Sequence, residues 1–140
     1  MSELHYLSVH HNQTIAGIQD KFNQVFPFLK IEFFREKHQK GIGSEKKKMY
    51  SDKAIKLTDI QKVPQHGKIS MFGKETVQEL EADFEQKYGL YIQVFRKSGN
   101  IWLETSTTDS WTLNQQNEEA KSLQDDLRTE KENPADHDIW

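Results

Sequence analysis

The stretch Thr76–Arg96, "TVQELEADFEQKYGLYIQVFR", has a near-copy earlier in the chain at Thr14–Arg35, "TIAGIQDKFNQVFPFLKIEFFR". An offset of 62 lays Leu7 and Val9 on Ile69 and Met71, Thr14 on Thr76, Ile15 on Val77, Ile18 on Leu80, Phe22 on Phe84 and Phe26 on Tyr88. Apolar meets apolar throughout. Beyond that run the offset drops to 61, so Leu29, Ile31 and Phe33 fall on Leu90, Ile92 and Val94, and Phe34-Arg35 on Phe95-Arg96. In each copy the first set of apolar positions steps by three, four and four residues, one face of an α-helix, and the second set steps by two, the period of a half-buried strand. Each copy therefore reads strand, helix, strand.

The helix ends agree with the periodicity. Thr14 and Thr76 stand where an N-cap belongs, and Thr76 to Glu79, "TVQE", spells a capping box. Gly17 occupies the matching position of the first copy and lacks a side chain to return the bond. Pro27 and Gly89 fall at equivalent places just past the helices, one unable to continue a helix and the other suited to a left-handed residue.

At 140 residues the chain is expected to form one domain with a shared core, because units of about 60 residues bury little by themselves. We place that α+β domain at residues 1–128, with repeats of about 4–60 and 67–117, and read 129–140 as a polar, flexible tail. Aromatic residues make up 11% of a chain that is only 34% hydrophobic, so rings must supply much of the core. A formal charge of −3 excludes an overall polycation, and any nucleic-acid role must come from a local patch. The absence of cysteine excludes disulfides, a thiolate nucleophile and Cys-ligated metal. No basic leader with an apolar run opens the chain and no long apolar stretch follows, so a cytoplasmic protein without membrane attachment is expected.

Two arrangements fit strand-helix-strand units in series. The direct one is a ferredoxin-like βαββαβ sandwich, with a single four-stranded antiparallel sheet carrying both helices on one face. The other rests on "LYIQVFRKSGNIWLETSTTDSWTLNQQN", Leu90 to Asn117, which resembles the second half of ubiquitin-like β-grasp domains: a strand, a tight turn, a short strand, and a D-x-x-T-L element, here Asp109 to Leu113. "SDKAIKLTDI", Ser51 to Ile60, echoes that element in the first copy. A full β-grasp domain has a hairpin before its helix, whereas one strand precedes each helix here. The resemblance carries no modifier chemistry, which needs a terminal Gly-Gly where this sequence reads Asp138-Ile139-Trp140. The "VFRKSGNIWLET" stretch is also similar to that of a group of small uncharacterised bacterial proteins, a likeness that implies no activity.

No enzyme signature stands out. "GIGSEKKK", Gly41 to Lys48, has neither the spacing nor the following helix of a phosphate loop. His5, His10 and His11 would need a bend after Val9 to converge on a metal, and Ser98-Gly99 is turn chemistry without a nucleophile elbow. No cofactor or metal is read from the sequence. The candidate surface combines Tyr91, Phe95 and Trp102, expected on the outer side of the sheet, with the Lys-rich loop carrying Lys37, Lys40, Lys46, Lys47 and Lys48. Such a face suits a partner protein or a second copy. It also suits single-stranded nucleic acid, with stacking on the rings and charge from the loop. The plain alternative is that a last helix folds back over it, anchored by Trp111 and Leu113. We therefore expect a non-enzymatic binding or adaptor module, monomeric or homodimeric, with weak nucleic-acid association as the alternative.

Overall fold

The computed structural model describes residues 4–38 and 45–132, with side chains to residue 127. In chain order its elements are β1 (His5–Val9), α1 (Ile15–Val25), β2 (Leu29–Phe34), β3 (Gly67–Met71), α2 (Val77–Tyr88), β4 (Tyr91–Ser98), β5 (Ile101–Glu104) and α3 (Leu113–Glu132). Short 3-10 turns cover Lys46–Lys48, Leu57–Asp59 and Ser106–Thr108. The α+β class read from the periodicity is the observed one.

The helix starts behave as their sequences require. The Thr14 hydroxyl accepts from Gly17 N–H (3.1 Å), and Thr76 and Glu79 close the reciprocal box at 3.1 and 2.9 Å. α2 ends at Gly89, whose φ of 60° is left-handed, and a Cβ there would stand 2.6 Å from Lys62 Cβ.

The strands do not line up as one sheet. β1 pairs antiparallel with β3, while β2, β4 and β5 form a separate antiparallel sheet in that order. What closes the far edge of β2 is visible in its carbonyls. Gln19 Nε2 donates to Ile31 O (2.6 Å), Asn23 Nδ2 to Leu29 O (3.0 Å), and Tyr50 N–H to Phe33 O (2.9 Å). With these acceptors occupied by α1 side chains and the returning chain, no further strand has a ladder to join. In both sheets, positions equated by the sequence offsets meet each other: Leu7 opposes Ile69, and Glu32 opposes Gln93.

The core fills the space between these elements. Leu7, Val9, Ile69 and Met71 from β1 and β3, and Ile31, Phe33 and Val94 from β2 and β4, are fully buried with Ile15, Ile18, Phe22, Val77, Leu80 and Phe84 from the helices. Phe33 meets Phe84 edge to face at 5.9 Å, tying the first half to the second.

The two segments that echo each other after the strands make matching backbone bonds. Ile15 N–H donates to Ile55 O, Ala16 to Lys53 O, and Leu57 to Gln13 O; Val77 donates to Trp111 O, Gln78 to Asp109 O, and Leu113 to Glu75 O. Lys53 and Asp109 thus occupy corresponding places at the starts of α1 and α2.

Candidate functional site

The strand alternation of β4 puts Ile92 and Val94 into the core and turns Tyr91, Gln93, Phe95 and Lys97 the other way. The register with β5 places Trp102 beside Lys97 and Glu104 beside Phe95 on that same outer side. Phe95 and Trp102 are half-buried. Lys30 Nζ lies 5.3 Å from the Phe95 ring and 5.1 Å from Trp102, and Lys97 Nζ lies 5.5 Å from Trp102. Two rings and two ammonium groups therefore form one cluster. Tyr91 is not part of it: Tyr91 pairs with Phe34 at the other end of the ladder, four residues or about 13 Å along the strand.

The last helix does not cover this face. Gln116 accepts from Arg96 Nη1 at 2.9 Å, and the Arg96 guanidinium lies 5.5 Å from the Trp111 ring. Arg96 alternates with Phe95, so α3 packs on the opposite side of the sheet. Leu113 is buried there, as an anchor should be, while Trp111 stays 37% exposed.

The Lys-rich run lies elsewhere and is partly neutralised. Met49 bridges to Phe34, holding residues 45–50 at the Tyr91 end, away from Trp102. Lys48 pairs with Glu36, Lys47 with Glu45 at 3.4 Å, and Lys37 with Glu85 at 3.1 Å. Lys46 is in the same 3-10 turn, and Lys40 lies outside the described residues. Loop charge and ring cluster are thus separate surfaces, and the positive groups beside Phe95 and Trp102 are Lys30 and Lys97.

Of the histidines, His10 and His11 stand edge to face at 6.3 Å, and His66 stacks on His11 at 6.2 Å. No group of three or more His, Asp or Glu among the described residues is placed to hold a metal ion.

Tyr91 and Lys37 do come together, in a place the sequence reading missed. They line a cavity of about 250 Å³ beside α2, with His38, Glu81, Glu85 and Asp109. His38 Nε2 lies 3.4 Å from Glu81 Oε1, and both side chains are nearly buried, 11% and 12% exposed. Burial pushes the Glu81 carboxyl above its ordinary range; contact with His38 pulls it back, and the nearby Asp109 charge raises it again. The available signal was a charge change at matched positions: Gln19 corresponds to Glu81, and Lys53 to Asp109. Neither residue breaks the apolar periodicity, so the pattern passes over both.

No family model matches the chain, and no match was found among curated proteins or solved structures. No helix among the described residues is long and apolar enough to cross a membrane.

Proposed function

We propose that this chain is a non-enzymatic protein-binding module, working in the cytoplasm, that takes an extended segment of a partner onto the edge of β5. The carrying observation is the state of that edge. β5 is the outermost strand of its sheet, and its Ile101 and Leu103, on one face, are 59% and 39% exposed. Trp111 at 37% and Leu123 at 39% flank the same side, where Arg96 joins Leu103 to Trp111 and Leu127 reaches the Gly99 turn. An added strand would gain main-chain bonds from the edge and an apolar strip for its alternate side chains. The self-opposed positions Leu7–Ile69 and Glu32–Gln93 support a duplicated strand-helix-strand ancestry for the scaffold.

Affinity capture from native cells, after nuclease treatment, tests the reading with the double variant Ile101→Lys/Leu103→Lys beside the parent. A partner held by the parent and lost from the variant supports it. Equal capture by both defeats it.

A second reading, weak association with single-stranded nucleic acid, is favoured by the Phe95–Trp102 cluster with Lys30 and Lys97 at its rings. Rings that hold a lysine head can exchange it for a base while the ammonium moves to a phosphate.

A further inference from the structure

The cavity beside α2 has a counterpart in the first half that is filled. There the Lys53 ammonium donates to the Glu32 carboxylate and to Tyr50 O (2.7 Å), and Gln19 donates to the same Glu32 at 2.8 Å. A cation sits where helix, strand and returning chain meet. At the corresponding place in the second half the polarity is reversed. Glu81 replaces Gln19, Gln93 replaces Glu32, and Asp109, carried by the same backbone bond to the helix start, replaces Lys53.

Asp109 is the informative residue. It is only 7% exposed and lines the cavity, and no hydrogen bond or ion pair to its carboxylate is seen among the described residues. Beside it in the lining, Glu81 Oε2 is fully buried without a hydrogen-bond partner, and a buried oxygen without a donor is costly. Of the basic residues in the lining, Lys37 is engaged with Glu85 and His38 with Glu81, and outside the lining Lys62 holds its ammonium 5.1 Å from the Tyr91 ring. Tyr91, Ala82 and Ile92 supply an apolar wall. The space, about 250 Å³, is below the size of drug-like sites and suits a small molecule.

We propose that this cavity binds a small organic cation, a primary ammonium on a short apolar stem, with the ammonium held by Asp109 and Glu81 and the stem against Tyr91. The guest ammonium supplies from outside what Lys53 supplies from within the chain in the first half. The site is independent of the β5 edge, so loss of either reading leaves the other standing.

The test is calorimetric titration of the full chain at neutral pH and low salt with n-butylammonium, n-butanol and butyrate. Butylammonium should bind saturably while the alcohol and the carboxylate do not. Asp109→Asn, nearly isosteric, should weaken butylammonium by about tenfold or more, the worth of a charge-assisted hydrogen bond. Should that variant fail to fold, amide chemical-shift changes in the parent protein decide instead, and they should centre on Glu81, Tyr91 and Asp109. The proposal is overturned by no saturable binding up to about 10 mM, by equal binding of butanol, by unchanged affinity in folded Asp109→Asn, or by shifts centred elsewhere.

Discussion

Glu32 stands directly opposite Gln93 in the β2–β4 ladder, and both side chains are buried. The carboxylate is tolerated because donors converge on it: Lys53, Lys30 at 3.2 Å and Gln19 at 2.8 Å. Removing it takes an acceptor from all three, although Gln19 keeps Ile31 O and Lys53 keeps Tyr50 O. Glu32→Ala should cost about 1 kcal/mol, the low end for losing hydrogen bonds to a charged group, because the two lysine heads can turn to water. The double variant Glu32→Ala/Lys53→Met should cost less than the sum of the two single changes, since the ammonium that lost its carboxylate is gone. Urea denaturation of the four proteins in the cycle measures both quantities, and strict additivity would mean that the pair is not coupled.

Phe22 and Phe84 are fully buried in the shared core, Phe22 against Phe26 at 5.4 Å and Phe84 against Phe33. Truncation of either to Ala should destabilise by about 3–5 kcal/mol. Chemical denaturation giving a large loss for one and none for the other would break the picture of one core.

Glu75 gives a pH dependence of definite sign. Its carboxyl is pushed up to about 8, chiefly by burial and further by the Asp83 and Glu79 charges, with Lys87 opposing. The folded value exceeds the unfolded one, so the folded state holds the proton more tightly. The contribution of Glu75 to stability should be greatest below about pH 4.5, fall as pH rises through the window up to about 8, and then level off, by as much as about 1.4 kcal/mol per pH unit. The matched residue of the first half is Gln13, whose amide donates to Ser8 O at 2.9 Å. Glu75→Gln should therefore raise the melting temperature at pH 8 far more than at pH 5. An equal shift at both values would count against a buried, protonated Glu75.

If single-stranded nucleic acid is a partner, its signature follows the ring cluster and not the Lys-rich loop. Trp102→Ala should cost about 1–3 kcal/mol of binding with little change in salt dependence. Lys97→Ala should reduce the slope of log affinity against log salt by about 0.7, one phosphate on a single strand. Changing Lys47 and Lys48, already paired with Glu45 and Glu36, should alter the slope less. Fluorescence titration at two salt concentrations separates these outcomes, and no binding below about 100 µM at low salt removes the nucleic-acid reading.

The helices, their caps and the buried faces of the strands could be read directly from the chain. Each depends on residues a few positions apart, such as Ile15, Ile18 and Phe22, or Thr76 with Glu79. Strand partners were another matter. One hydrophobic face per strand fits a single sheet or two sheets equally well, and the open carbonyls of β2 are occupied by polar side chains of the preceding helix, Gln19 and Asn23, which the apolar pattern does not record. The cavity was less legible still. His38, Glu81 and Asp109 come from three separate segments, and their convergence depends on the path of the chain between them. Local periodicity records which side of an element is buried; only the packed structure decides which polar groups meet when it is.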